Sequence, residues 1–208
     1  MTSYVQSPSS ATSTSDGPKD LAQLVDAIEA ELLRNDEQKH LPLHKKTNLQ
    51  TLLEKYEVTQ DELQQFAHFD ASRNYTRNLI STDHETYALM LICWNRGKYS
   101  PIHDHPSDGC WVKVLQGFVH EVRYQRDAGA AALVETASTV LTSGVTYMDD
   151  SLGLHKVGNP RDDVDAITMH LYAPPYDKCR VWFDPSDAAK SSVAVSNYYT
   201  EFGQKVEF

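Results

Sequence analysis

Residues 97–117, GKYSPIHDHPSDGCWVKVLQG, decide the fold, and they contain the histidine pair His103 and His105. Alternate side chains of a β-strand point to the same face, so two histidines separated by one residue can direct both imidazoles at one point. On an α-helix the same spacing would set them about 200° apart. The apolar run 87–94 and the alternating run 111–115 are typical of strands. The segment therefore predicts a metal-binding histidine pair where a strand begins.

The composition of the chain excludes several classes of protein. It has 208 residues, 40% hydrophobic and 23% charged, which suits one globular domain with an ample core. Its net charge of -10 argues against nucleic acid as a partner, because no basic cluster offsets it. No apolar run approaches the ~18 residues of a membrane span, and the N-terminus resembles neither a signal nor a transit peptide. We therefore expect a cytoplasmic protein with no membrane partner.

The three cysteines, Cys93, Cys110 and Cys179, are an odd number without the spacing of a disulfide framework. We expect them not to form a disulfide scaffold. The sequence also shows no heptad or exposed apolar stripe that argues for an oligomer.

The N-terminal third of the chain has a helical pattern behind a polar leader. Residues 1–17 are rich in serine and threonine and have almost no apolar residues, so we expect a disordered tail. Residues 18–34 and 43–56 carry leucines at helical spacing, which indicates amphipathic helices. Thr59 and Glu62 have the spacing of a capping box, which predicts the start of a third helix.

From residue 75 the hydrophobic period changes from helical to alternating and remains so to the end. Short strands without intervening helices favour an antiparallel barrel or a small sandwich of jelly-roll type. We therefore expect one mainly β domain over residues 18–208, with a helical part at 18–70 and a β-barrel at 75–208. The predicted strands are 87–94, 111–115, 118–124, 132–141, 145–148, 166–172, 180–183 and 193–199.

A third metal ligand is needed besides the pair, and His155 is the best candidate. It lies in SLGLHKVGN, residues 151–159, where glycines flank an apolar stretch near the end of a strand. The alternative for His155 is an ordinary packed or surface histidine. Three other histidines, His40, His44 and His68, lie in or beside the predicted helices, and nothing in the pattern joins them into a ligand set.

A second group of polar residues lies in the strand at 166–175, AITMHLYAPP. Alternation places Thr168, His170 and Tyr172 on one face and apolar residues on the other. The polar face fits either the solvent side of an edge strand or, if it points inward beside a metal, a relay that handles protons. The two prolines end the strand, and a cis peptide is compatible with them.

Arg77 is the remaining candidate, in the sequence YTRN just ahead of the first predicted strand. A surface arginine is one interpretation. The other is a side chain that reaches the mouth of the barrel, where a planar guanidinium can bind a substrate carboxylate through two hydrogen bonds.

These residues resemble a known superfamily. Gly97, His103, His105 and Gly117 match the first motif of the cupins, and residues 153–159 resemble the second. Two departures stand out: Cys110 replaces the usual glutamate ligand, and the second motif has serine for its proline and one residue fewer before the histidine.

With these departures, the sequence resembles cysteine dioxygenase of the eukaryotic type. The matching segments are YTRN, LICW, IHDH, Cys110, LQG, DSLGLHKVGN and HLYAPPYDKC, which cover roughly residues 75–179. The resemblance implies one Fe(II) per chain, held by His103, His105 and His155, and a monomer, as is usual in the family. Three neutral imidazoles leave a dication with open positions.

The same resemblance implies the substrates, L-cysteine and O2, and the product. Cysteine would chelate the iron through sulfur and amine, Arg77 would bind its carboxylate, and both oxygen atoms would go to sulfur to give cysteine sulfinic acid. It also implies a thioether between Cys110 and Tyr172. His170 would orient Tyr172, with Thr168 behind it where animal members have serine, and Tyr75 would lie near the substrate or Arg77.

Two alternatives remain open from the sequence. One is a dioxygenase for another small thiol, 3-mercaptopropionate or cysteamine, of which cysteamine lacks the carboxylate that Arg77 would bind. The other is a non-catalytic metal-binding cupin, which would need the three histidines but neither the relay nor the arginine.

Overall fold

The structure is a computed structural model that describes residues 17–33, 41–127 and 129–206. The predicted tail 1–17, except for its last residue, and His40 lie outside the described residues. None of the helices in these three ranges is both long and apolar enough to cross a membrane.

Three helices form the N-terminal part: α1 (Leu21–Leu33), α2 (Leu43–Lys55) and α3 (Gln60–Phe66). The predicted capping box is confirmed at the start of α3. The Thr59 hydroxyl accepts a hydrogen bond from the Glu62 backbone N–H at 3.2 Å, and the Glu62 carboxylate accepts one from the Thr59 N–H at 2.7 Å. Two N–H groups that would lack partners at the helix end are thus satisfied.

The regular structure in the rest of the described chain is β, apart from one short 3-10 helix at Asp150–Leu152. The strands are β1 (Tyr75–Thr82), β2 (Ala88–Trp94), β3 (Ile102–His103), β4 (Gly109–Gln116), β5 (Val119–Gln125), β6 (Val134–Leu141), β7 (Val145–Met148), β8 (Leu154–Gly158), β9 (Ala166–Ala173), β10 (Lys178–Trp182), β11 (Ser192–Val195), β12 (Thr200–Glu201) and β13 (Gln204–Lys205). They form two sheets, one in the order β13-β12-β1-β2-β9-β4-β7 and the other in the order β11-β10-β3-β8-β5-β6. The expected mainly β fold is confirmed, as a two-sheet sandwich of jelly-roll type instead of a closed barrel.

The helices cover the outer face of the seven-stranded sheet. Leu24 and Ile28 of α1 and Leu53 of α2 share one buried cluster with Leu89 of β2 and Met169 of β9. A surface helix with one apolar face needs such a partner, and the exposed face of an antiparallel sheet needs such a cover. The helical part is therefore packed on the sheet as a layer of the same core.

The inner face of the same sheet carries the polar residues of β9. All eight residues of this strand are buried, and Thr168, His170 and Tyr172 alternate with residues of the outer cluster. The solvent-facing interpretation of this polar face is therefore wrong. The Ala173–Pro174 peptide bond that follows is cis.

Three local predictions differ from the structure. Arg77 lies within β1 and not ahead of the first strand. The sequence pattern missed this part of the strand because the buried residues beside Arg77, Thr76 and Asn78, are polar and interrupt the apolar alternation. His105 lies beyond the two-residue strand β3. The predicted strand 193–199 pairs with β10 only as far as residue 195.

Lys113 of β4 connects the sheet to the C-terminal end of α2. Its buried ammonium donates hydrogen bonds to the Leu53 carbonyl at 2.8 Å, the Glu54 carbonyl at 3.2 Å and the Tyr56 carbonyl. These carbonyls belong to the end of α2, where the helix lacks internal donors and its dipole favours a cation.

Replacing Lys113 by methionine should lower the free energy of unfolding by about 2–3 kcal/mol, because three carbonyls lose a charged donor. Urea denaturation of the two proteins measures this. Lys55→Met, an exposed lysine at the end of the same helix, is the control and should change stability by less than about 0.5 kcal/mol. Equal losses in the two variants would contradict the capping role.

Candidate metal centre

Three histidines meet between the sheets: one from β3, one from the loop after β3 and one from β8. His103 of β3 is paired directly with His155 of β8, and His105 follows two residues after His103. The imidazole centroids are 4.9 Å apart for His103 and His105, 4.7 Å for His103 and His155, and 4.5 Å for His105 and His155. One ring nitrogen from each lies within 4.8 Å of the others.

Hydrogen bonds fix which nitrogen of two of these rings is free. The His103 Nδ1–H donates to the Pro101 carbonyl at 3.0 Å, and the His155 Nδ1–H donates to the Glu121 carboxylate at 2.7 Å. Because both partners only accept, each ring carries its proton on Nδ1 and leaves a lone pair on Nε2. His105 is buried, and neither of its nitrogens has a hydrogen-bond partner among the described residues.

Burial keeps all three rings neutral. It lowers the pKa of His103, and together with the neighbouring histidines it lowers the pKa of His105 and of His155 well below the usual value. The contact between His155 and Glu121 is therefore a hydrogen bond from a neutral ring to a carboxylate. Neutral imidazoles with inward lone pairs are what a divalent metal requires, so this donor set fits the predicted ion.

Glu121 is itself held in place from its other side. Its Oε2 accepts hydrogen bonds from Arg123 and from the Thr146 hydroxyl, both at 3.1 Å. The carboxylate is 5% exposed and so cannot swing into water without breaking these bonds. Sequence reasoning missed Glu121, which lies 34 residues before His155 in a strand with no motif.

Arg77 and two of the three histidines, His103 and His155, line the same cavity. The cavity has a volume of about 310 Å³, and its lining includes Arg77, Tyr75, His103, His155 and Tyr172. The Arg77 Nε is buried and has no hydrogen-bond partner among the described residues. An arginine whose buried donor is left free beside a cavity is suited to an anionic ligand.

The predicted relay is present and extends one residue further than expected. The Trp94 indole N–H donates to the Thr168 hydroxyl at 2.8 Å, Thr168 lies 2.8 Å from His170 Nε2, and His170 Nδ1 lies 3.3 Å from the Tyr172 oxygen. Burial lowers the pKa of His170 to about 3, so the ring is neutral.

These contacts give the relay a direction. An indole N–H only donates, so the Thr168 proton is free to point to His170, whose own proton then lies on Nδ1 and points to Tyr172. The phenolic proton of Tyr172 is thereby directed away from His170.

Cys110 and Tyr172 are direct partners across β4 and β9. The Cys110 thiol is within hydrogen-bonding reach of Tyr172, and burial raises the pKa values of both groups. Directly opposed residues of antiparallel strands have Cβ atoms about 4.5–5.5 Å apart, so the two side chains meet without a change in the backbone.

Of the remaining candidates, Tyr75 and Cys179 line the cavity, and His44 and His68 do not. Tyr75 lines the cavity, with its ring 4.9 Å from that of Trp94. The free thiol Cys179 also lines the cavity. His44 and His68 lie outside the metal cluster and outside the lining of this cavity, as expected for ordinary histidines.

Comparison with solved structures gives partial overlaps. An RmlC-like cupin from Shewanella frigidimarina NCIMB 400 aligns with a TM-score of 0.42 at 18% identity, over 55% of this chain and 88% of that one. An RmlC-like cupin protein from Desulfovibrio desulfuricans aligns with a TM-score of 0.37 at 20% identity, over 52% of this chain and 90% of that one.

The two-sheet sandwich of jelly-roll type with three converging imidazoles defines a class of β-sandwich protein with a candidate metal site. Within that class the chain belongs to the family described as cysteine dioxygenase type I, whose profile matches residues 10–185. Cysteine dioxygenase type 1 of Bos taurus is 35% identical over 77% of this chain and 80% of its own length. The Homo sapiens protein of that name is 36% identical over 74% and 77%, and the Danio rerio protein is 32% identical over 77% and 80%.

The Glu121 contact predicts a change in metal affinity. Replacing Glu121 by leucine should weaken Fe(II) or Co(II) binding by about 10–100-fold, because His155 loses the acceptor that fixes its tautomer and raises its basicity. Glu121→Gln keeps an acceptor and should lose less. Anaerobic competition with a chelator measures the dissociation constants.

The control for this experiment is Glu135→Gln, a carboxylate exposed on β6, which should bind the metal as the unchanged protein does. Wild-type affinity in both Glu121 variants would show that the hydrogen bond does not support the metal.

Proposed function

We propose that this chain is an Fe(II)-dependent dioxygenase that converts L-cysteine and O2 to cysteine sulfinic acid. The iron would be held by His103, His105 and His155. The observation that carries the proposal is that Arg77, whose Nε is buried and has no hydrogen-bond partner among the described residues, lines the same cavity as His103 and His155 of the three-histidine cluster. Family membership supports the reaction type.

The charges of the cavity favour cysteine. Three neutral ligands leave the +2 charge of the metal uncompensated, and Arg77 adds a further positive charge. The described lining of the cavity contains no aspartate or glutamate. A substrate that brings a thiolate to the metal and a carboxylate to the arginine places one negative charge against each of these two positive centres.

Ferrous iron, held by His103, His105 and His155, would supply the redox chemistry that allows O2 to react with a thiolate. The overall reaction is balanced without another reductant: sulfur gives up four electrons, O2 accepts four, and both oxygen atoms end on sulfur. The protein therefore has to bind and orient the substrates and to exclude water, and it does not need a second cofactor.

Tyr172 is a polar group that lines the cavity beside Cys110. Its oxygen accepts from the neutral His170 ring, and its own proton points to the Tyr176 oxygen, from which it can turn to a substrate or oxygen atom in the cavity. Burial and the Cys110 neighbour raise its pKa, which keeps the phenol protonated. We infer that Tyr172 donates a hydrogen bond during the reaction and that Thr168 and His170 hold it in that orientation.

The alternative substrates differ in the group that Arg77 would bind. Cysteamine has no carboxylate and would leave this buried cation unpaired, and 3-mercaptopropionate has no amine for the second position on the metal. L-Cysteine alone of the three offers thiolate, amine and carboxylate, which is why we place it first.

Replacing Arg77 by alanine should lower kcat/KM for L-cysteine by about 3 kcal/mol, a factor of roughly 150, because two charge-assisted hydrogen bonds are lost. The value for cysteamine should change little. Oxygen uptake and sulfinate formation by iron-loaded protein measure both. Arg96→Ala, which removes an exposed arginine paired with Asp165, is the control, and an unchanged cysteine value in Arg77→Ala would exclude the carboxylate role.

The Cys110–Tyr172 pair predicts a thioether between the sulfur and a ring carbon. Its formation removes two hydrogen atoms, with O2 as the electron acceptor, so the intact protein should lose about two mass units, and digestion should give joined peptides. Cys110→Ala and Tyr172→Phe each change one member of the pair and nothing else. Cys110→Ala has no sulfur at this position and should lack the mass loss. Complete alkylation of Cys110 in fully active protein would contradict the crosslink.

A further inference from the structure

The chain between β11 and β12 passes directly over the strand that carries Arg77. The Ser196 N–H donates to the Asp177 carbonyl at 2.7 Å, and the Tyr199 N–H donates to the carbonyl of Arg77 itself at 2.7 Å. From Thr200 the chain continues as β12, which pairs with β1 at Asn78. The backbone of this segment is thus fixed relative to Arg77 on both sides of Tyr198.

Between these two hydrogen-bonded positions, the ring of Tyr198 lies against the guanidinium of Arg77. The Arg77 Cζ lies 5.6 Å from the centroid of the Tyr198 ring and 5.7 Å from that of Tyr172. Tyr198 is half-buried and packs against the inner core cluster of the sandwich. A desolvated cation over an aromatic face is attracted by the ring quadrupole more strongly than in water.

The Tyr172 and Tyr198 rings, and the Tyr198 hydroxyl, which accepts a hydrogen bond from the guanidinium, place the charged end of Arg77. Its Nε has no hydrogen-bond partner among the described residues, and the described lining of the cavity provides no carboxylate. Of the two rings that contact Arg77, that of Tyr172 also has the proposed role beside the metal. Tyr198 is not among the residues that line the cavity, so it acts on a bound molecule only through Arg77.

We propose that Tyr198 is a positioning residue for Arg77 and sets the preference of the site for thiols that carry a carboxylate. With the ring in place, the guanidinium is held toward the cavity before the substrate arrives, which reduces the ordering that binding requires. Without it, Arg77 has one fewer contact to hold it, and the carboxylate contact weakens while the metal end of the site is untouched. The inference rests on the proposed carboxylate role of Arg77.

The experiment compares L-cysteine with cysteamine in the iron-loaded full chain. Anaerobic titration should show that Tyr198→Leu binds L-cysteine about 10-fold more weakly, equivalent to about 1.4 kcal/mol, and binds cysteamine within about 2-fold of the unchanged protein. Tyr198→Phe keeps the ring and loses the hydroxyl that bonds to Arg77, so it should weaken L-cysteine binding by no more than about 3-fold and leave cysteamine binding unchanged. In turnover, Tyr198→Leu should raise KM for L-cysteine and leave kcat nearly unchanged.

Phe202→Leu is the matched control, because it removes an exposed aromatic ring from the same C-terminal segment; both thiols should bind normally. Tyr198→Met answers the same question if thermal melting shows that Tyr198→Leu is unfolded. Equal weakening of both thiols in the Tyr198 variants, or no weakening of either, would overturn the inference.

An Arg77→Ala arm separates this inference from the function on which it rests. Loss of L-cysteine binding in Arg77→Ala with normal binding in Tyr198→Leu would overturn the role of Tyr198 alone. Normal L-cysteine binding in Arg77→Ala would overturn the carboxylate role of Arg77, and the inference with it.

Discussion

The burial of β9 on both faces is the constraint on which the structure depends. Residues of one face pack beneath the N-terminal helices, and Thr168, His170 and Tyr172 on the other face lie between the sheets. A strand with polar groups on one face is stable in such a position only if each polar group finds a partner. Trp94 at one end of the row and Cys110 beside the other supply those partners. The helical layer is therefore part of what keeps the site dry.

The placement of negative charge explains how the site stays open to its substrate. The cupin pattern would put a carboxylate among the metal ligands, whereas here Cys110 has that place and a carboxylate, Glu121, lies one hydrogen bond further out, behind His155. Its charge strengthens the imidazole as a donor. It does not fill a position at the metal or neutralise Arg77. A substrate thiolate and carboxylate then find two unmatched positive centres in a cavity with no acid in its described lining.

Sequence reasoning located the residues that belong to local motifs, namely the three histidines, the relay on β9, and Cys110. It misplaced Arg77 outside the first strand because the neighbouring polar residues Thr76 and Asn78 are buried there, and one partner of Asn78, Thr200, lies far along the chain. It missed Glu121 and Tyr198 because each acts on another site residue through a contact that only the folded sheets create. Alternation predicts which face a side chain takes, but not which residue of a distant strand will meet it.

The central claim, that the cavity directs both atoms of one O2 to the sulfur of L-cysteine, is tested most directly by isotope labelling. Iron-loaded protein given L-cysteine under ¹⁸O2 should form sulfinate about four mass units heavier than under ordinary oxygen, and protein stripped of metal should form none. Sulfinate that carries one labelled atom or none, or equal formation by the stripped protein, would contradict the account.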